Sequence, residues 1–333
     1  MPTSRTISEI RLVNGSTGDP VLFVDYPGRD NALLFDAGEN AALGLDRLGD
    51  LEAVFITHHH IDHFIGLDRI ARANLDRDKT LHLFGPEGTI KRVSDRVRSY
   101  EHPFFPFQKL TMEVRDVLID RVRTARLECA RRFPDPEIVE SQREGMTIFE
   151  NADLTVEATT ADHTVPCLSY AMVEKAGYHP DPERLARGPL RPGPWVARTL
   201  ELLRSGAPAD STVEIDGGVF PLGALGERYF TVSKGSRLAF VTDTAWSDQS
   251  RPGLLKLAHR ARRLYCDCFY AQDQIKHAEK YRHMTATQAA EFARAARVDE
   301  LVLIHFAKRY EGRYPELVEE ARAIFPKVSA VLD

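Results

Sequence analysis

Ala53-Val54-Phe55-Ile56-Thr57-His58-His59-His60-Ile61-Asp62-His63 is the stretch that decides how this chain reads. Its first four residues are apolar and of β-forming type, which marks a buried strand. Four metal-competent side chains follow within six residues: His58, His60, Asp62 and His63. At the end of a strand, residues i and i+2 point to the same side. His58 and His60 can therefore grip one ion together, while Asp62 and His63, as the chain turns, reach a second. One ion does not need this many donors. Two ions about 3.5–4 Å apart do, and that geometry activates water for attack on phosphate or acyl centres.

Three more donors recur in the same setting, just beyond a hydrophobic run. His163 lies in Ala161-Asp162-His163-Thr164-Val165-Pro166, after the run 154–159. Asp243 ends Ala239-Phe240-Val241-Thr242-Asp243, and His305 ends Leu301-Val302-Leu303-Ile304-His305. In α/β architectures, sites are built beyond the C-terminal edges of strands. A carboxylate has two oxygens and can bridge two cations, and Asp243 is best placed for that. The shared water loses a proton near neutral pH and becomes a bridging hydroxide nucleophile. Asp62 binds one metal and can also take a proton from that water. Two Zn²⁺ suit this His/Asp set, and ligand type leaves Mn²⁺ or Fe²⁺ open. His283 precedes a helix that Thr285 can cap. With seven donors already filling two sites, His283 fits a general acid that protonates the leaving alkoxide. His59 and Ile61 read as spacers, with His59 facing the cleft. His277 reads as a surface residue. His82, His102, His179 and His259 lack any partner pattern.

Composition narrows the class. With 44 Lys/Arg against 49 Asp/Glu, the formal charge is −5, so there is no global basic field drawing nucleic acid. The 333 residues, 43% hydrophobic, can build a full core. Cys266 and Cys268 alternate with Asp267 in an apolar run. Cys-x-Cys lacks structural-zinc spacing, so the four cysteines read as buried thiols, which fits a reducing cytosol. The N-terminus shows no apolar leader, and no segment reaches membrane-spanning length. A soluble cytoplasmic protein without a membrane partner is expected.

Strand-like runs at 10–13, 21–24, 32–35 and 53–56 open the chain, separated by turn signals such as Asn14-Gly15 and Pro27-Gly28. The pattern predicts a helix over 64–74, a strand over 81–84 and a helix over 89–100. Lys109–Arg132 is charged and amphipathic and reads as helical. Strands are expected at 146–149, 154–159 and 168–173. Strands at 238–242, 264–269, 301–304 and 328–332 then alternate with helices at 253–262, 285–296 and 316–324. The whole predicts an α/β sandwich: two sheets face to face with helices outside. One stretch breaks the pattern. Residues 176–234 are rich in Pro and Gly, including Pro189-Leu190-Arg191-Pro192-Gly193-Pro194 and Gly217-Gly218. This reads as an arm or loop inserted between two strands of a single 1–333 domain.

His-x-His-x-Asp-His, spelled by His58 to His63, resembles the signature of the metallo-β-lactamase superfamily. Most of the chain resembles its ribonuclease Z branch. The resemblance is carried by Phe35-Asp36-Ala37-Gly38-Glu39, Phe84-Gly85-Pro86-Glu87-Gly88, Asp162-His163-Thr164-Val165-Pro166 with Tyr170, Phe240-Val241-Thr242-Asp243-Thr244, His283-Met284-Thr285 with Gln288, and His305 with Arg309-Tyr310. Ile61 stands where that branch usually has Gly. The resemblance implies an αβ/βα sandwich. It also implies that His58, His60 and His163 hold one zinc, that Asp62, His63 and His305 hold the other, and that Asp243 lies between. His283 would assist proton transfer, with Asp62 as proton acceptor. The implied reaction is endonucleolytic removal of the 3′ trailer from precursor tRNA by a homodimer, with 176–234 as the tRNA-gripping arm. A small phosphodiester or lactone, such as a cyclic nucleotide, is the alternative substrate within the superfamily.

Overall fold

The structure, a computed structural model, describes residues 9–25, 31–101 and 103–332. The Pro27-Gly28 turn, His102 and the N-terminal segment lie outside the described residues.

The first half builds one large sheet. Its strands are β1 (Glu9–Leu12), β2 (Leu22–Asp25), β3 (Ala32–Phe35), β4 (Leu51–Phe55), β5 (Thr80–Gly85), β6 (Thr111–Val117), β7 (Arg121–Glu128) and β8 (Ile138–Gln142), and they lie side by side in chain order. β3 to β6 run parallel, and the flanking pairs are antiparallel. The helices between them are α1 (Leu45–Gly49), α2 (Ile61–Phe64), α3 (Leu67–Asn74) and α4 (Thr89–Arg98).

The region 109–132 corrects the helical expectation: it is the β6–β7 hairpin. Met112 and Val114, and later Ala125 and Leu127, are buried at a spacing of two. The apolar residues at 114, 117 and 118 also fit a helical spacing, so local pattern left two periods open. Cross-strand pairs decide it. Arg121 and Arg123 both reach Glu140 on β8, a contact that a local window does not contain.

Three strands begin the second sheet: β9 (Thr147–Glu150), β10 (Leu154–Ala161) and β11 (Cys167–Glu174). The Pro/Gly-rich stretch follows, and it is not structureless. Residues 174–236 form a compact unit containing β12 (Gly177–Pro180), α5 (Pro182–Arg187), α6 (Pro194–Arg204), β13 (Thr212–Ile215), β14 (Gly218–Pro221), α7 (Leu222–Tyr229) and β15 (Phe230–Ser233). Leu185, Trp195, Val213, Ile215, Leu222, Leu225, Tyr229 and Phe230 make a core of its own. Pro182 and Pro194 start helices, where a missing N–H costs nothing. Asp216 and Gly217 take positive φ, 49° and 79°, in the two-residue turn of the β13–β14 hairpin. The residues that read as irregular are helix starts and turn formers.

The second sheet is completed by β16 (Ser236–Val241), β17 (Arg263–Asp267), β18 (Leu301–Ile304) and β19 (Val328–Ser329), in the order β19-β18-β17-β16-β11-β10-β9. β16 to β19 are parallel. Its helices are α8 (Arg251–Ala258), α9 (Ile275–Tyr281), α10 (Ala286–Ala296) and α11 (Tyr314–Arg322).

Alternation along each strand decides the layers. On β4, Val54 joins the cluster shared with Ile70 of α3 and Val93 of α4. Phe55 points the other way and meets Tyr170 of β11 at 5.6 Å and Phe149 of β9 at 5.8 Å. Phe35 contacts Tyr170 and Phe240 across the same gap. Aromatic rings therefore fill the space between the sheets. On the outer face of the second sheet, Val241, Cys266 and Leu303 pack with Leu254 of α8, Phe292 of α10 and Leu317 of α11. The result is the expected sandwich of two sheets with helices outside.

Candidate metal centre

The predicted donors lie in the loops, and in the short helix α2, that follow the C-terminal ends of strands. β4 stops at Phe55, so His58 and His60 lie in the loop just past the strand, as the sequence reading placed them. His60 remains extended at φ −66°, ψ 156° and caps α2, which carries Asp62 and His63. The i, i+2 relation survives in the extended segment, and the His58 and His60 rings are 4.4 Å apart. His163 follows β10, Asp243 follows β16, and His305 follows β18. Asp36, Asp243 and His305 adopt left-handed φ of 59°, 50° and 62°. Left-handed φ is uncommon outside glycine, is tolerated best by Asn, Asp and His, and recurs at functional sites.

The seven side chains converge from across the chain. His58, His60 and His163 bring donor atoms within 4.8 Å of one another, and so do Asp62, His63 and His305. Asp243 lies between the two triads. Its Oδ2 is 3.1 Å from His63 Nε2 and 3.4 Å from His305 Nδ1, while its Oδ1 is 3.9 Å from His163 Nε2. His283 joins the same centre, with Nδ1 3.5 Å from Asp243 Oδ1. His58 Nε2 and His163 Nε2 are buried with no hydrogen-bond partner among the described residues. A buried imidazole nitrogen without a partner is costly unless a cation or a hydrogen-bonding group meets it. Imidazole and carboxylate donors at this spacing suit divalent transition ions.

The electrostatics differ across the centre. Burial and the neighbouring His63 push His58 down to about 2, so its imidazole is neutral and ready as a ligand. Burial opposes charge on His63, but Asp36 and Asp243 outweigh it and raise its pKa well above the ordinary value. Burial also opposes charge on His305, and Asp243 and Asp267 still lift it to about 10. Burial disfavours the Asp243 carboxylate, yet His305 and His63 hold it well below the usual range. These acidic groups draw protons onto whichever imidazoles they face.

Two residues given no role from sequence support these side chains. Asp36, fully buried, accepts from Thr57 N at 2.6 Å and pairs with His63 Nδ1 at 2.7 Å. It fixes the ring so that Nε2 faces the centre. Asp267 is also fully buried. Its Oδ2 accepts from Met284 N at 2.9 Å and lies 3.2 Å from His283 Nδ1, and its Oδ1 lies 3.2 Å from His305 Nδ1. A carboxylate inside an apolar strand, between Cys266 and Cys268, was the signal: a buried acid needs partners. His283 is held a second way, its ring stacked on Phe269 at 4.2 Å. Burial opposes charge there too, and Asp267 raises the His283 pKa above its ordinary value. Thr285 caps α10 with Gln288 in a reciprocal capping box, as its position suggested.

His59 does not face the cleft. Thr89 Oγ1 donates to Pro86 O, so it accepts from His59 Nε2 at 2.8 Å. The residue ties the ligand loop to the start of α4. The four cysteines are buried and unpaired, and among the described residues no helix is long and apolar enough to cross a membrane.

The fold and this cluster define a metal-dependent hydrolase of the β-lactamase superfamily. A family model for the beta-lactamase superfamily domain matches residues 31–184. Ribonuclease Z of Deinococcus radiodurans is 32% identical over 322 residues, covering 90% of this chain and 94% of that protein. Ribonuclease Z of Treponema denticola is 27% identical over 305 residues, covering 88% and 84%. Among solved structures, human tRNase Z, short form, matches with a TM-score of 0.52 at 17% identity, covering 91% of this chain and 93% of that one. The metallo-beta-lactamase fold protein YhfI from Bacillus subtilis matches at 0.54 and 16%, covering 96% and 93%. The two structures speak for the fold, and the curated relatives carry the family: the chain belongs to the ribonuclease Z family.

Proposed function

We propose that this protein is an endoribonuclease that removes the 3′ trailer from precursor tRNA and works with two zinc ions. The observation that supports the reading is a continuous set of overlapping donor groups that includes His58/His60/His163 and Asp62/His63/His305, with one Asp243 oxygen toward His63 and the other toward His163. Similarity to a ribonuclease Z along 90% of the chain supports the RNA substrate.

Bound at these triads, two divalent ions would acidify a shared water and polarise the phosphoryl oxygens. The chain's own residues do the rest. Asp62, with 36% of its side chain exposed, is open to solvent and takes the proton of the attacking water. Asp36 and Asp267 hold His63, His305 and His283 in fixed orientations. With Nδ1 of His283 engaged by Asp267, its Nε2 is the nitrogen that protonates the leaving oxygen.

The unit at 174–236 serves as the tRNA-contacting arm, and its exposed Arg187, Arg191 and Arg198 meet phosphates. The enzyme acts as a homodimer, and its four reduced thiols suit the cytoplasm. Zinc-loaded protein incubated with a precursor tRNA tests the reading, with a small chromogenic phosphodiester alongside. A single cut at the trailer junction is expected. Cleavage of the small diester alone would overturn the tRNA assignment in favour of a small-molecule phosphodiesterase.

A further inference from the structure

A line of rings runs outward from the metal centre. His283 stacks on Phe269 at 4.2 Å, Phe269 meets Tyr270 at 5.1 Å, and Tyr270 meets His277 at 6.2 Å. His277 lies near-parallel to Tyr281, 18° apart and with centroids 6.4 Å apart. The inner members are covered, Tyr270 being 6% exposed. The outer two are not: Tyr281 is 44% exposed and His277 is exposed on the same face of α9.

Cations surround this pair. Lys280 Nζ sits 4.9 Å over the Tyr281 ring, and Lys276 and Arg282 are exposed beside it. Residues 276–282 hold three Lys/Arg against one acid, Glu279, in a chain of net charge −5. The segment is also tied to the centre. Arg282, in a left-handed conformation at φ 59°, presents its carbonyl 3.1 Å from His163 Nδ1, and its guanidinium donates to Asp162 at 2.9 Å. In the chain, Tyr281 precedes Arg282, whose carbonyl meets the first triad, and stands two positions before His283.

We infer that the exposed face of α9 is a nucleobase platform: Tyr281, with His277, stacks the base of the nucleoside that carries the leaving oxygen, displacing Lys280 from the ring, and Lys276 and the displaced Lys280 meet the adjoining phosphates. This rests on the RNA reading above. Single-stranded RNA is held by aromatic stacking together with a cationic track, and α9, which ends two residues before His283 and is joined to it by the line of rings, supplies both. A side chain that stacks a base shifts binding and orientation without touching the metals.

The test is a cycle between enzyme and substrate: Tyr281→Ala and Tyr281→Trp, each assayed on a precursor tRNA and on the same tRNA made abasic at the nucleoside carrying the leaving oxygen. Metal content is measured throughout. Tyr281→Ala should lose roughly 5- to 150-fold in kcat/KM on the intact substrate, as expected for one stacked base, with metal content unchanged. It should lose nothing further on the abasic substrate, and Tyr281→Trp should keep near wild-type activity. Equal loss on both substrates, or no loss on the intact one, overturns the platform while leaving the RNA reading standing. A wild-type enzyme that cuts neither RNA removes both.

Discussion

Asp243 presents its two carboxylate oxygens to different partners, one toward His63 and His305 and the other toward His163 and His283. A strained left-handed backbone at φ 50° holds it there, and Thr242 Oγ1 donates to Oδ2 at 2.7 Å. His283 approaches the same carboxylate, but Asp267 and the Phe269 ring fix its orientation independently of any ion. His283→Ala is therefore expected to keep both metals and to lower turnover by about 10²- to 10⁴-fold. Comparing substrates of different leaving-group pKa checks this, because the loss should shrink as the leaving group improves. A uniform loss would remove the general-acid role.

At the scale of elements, α2 has the hardest placement problem. It is a single turn carrying Asp62 and His63, and it must dock against the loop after β3. Gly38 makes this possible: a Cβ there would stand 2.3 Å from the Asp62 carbonyl and 2.6 Å from Asp19 Cβ. Gly38→Ala should displace α2, cost about 1–3 kcal/mol of stability, and selectively weaken ion binding at the Asp62/His63/His305 triad. Denaturant unfolding and metal titration of the variant check this; full occupancy of both sites would contradict it. Most elements were legible in the sequence because each apolar run is short and bounded by turn residues. The donors were legible because they fall just past those runs. The β6–β7 hairpin was not, since its apolar residues fit two periods and its deciding contact, Glu140, lies on the next strand. Residues 176–234 were read as an inserted arm or loop, with no elements assigned inside it, because Pro182, Pro194 and Gly217 look alike in a helix start, a turn or a coil. Asp36 and Asp267 escaped a role because their partners lie far along the chain: His63 for Asp36, His283 and His305 for Asp267.

For the whole molecule, the centre gathers four carboxylates, Asp36, Asp62, Asp243 and Asp267, where the ends of two sheets meet. Their mutual repulsion is offset by imidazoles, and bound cations would offset it further. An ion that binds only the folded chain stabilises it by about 2.7 kcal/mol at 100 times its Kd. Chelator treatment should therefore lower Tm by several degrees, and added zinc should restore it. A Tm indifferent to chelation would argue against ions bound by the folded state.

The most direct measurement is the metal-to-protein ratio of purified zinc-loaded protein, set beside that of Asp243→Ala and His60→Ala. We expect a ratio near two for the wild type, a fall toward one for His60→Ala, and below one for Asp243→Ala, since both sites lose an oxygen. A wild-type ratio near one, or a ratio near two retained by Asp243→Ala, would contradict the paired centre.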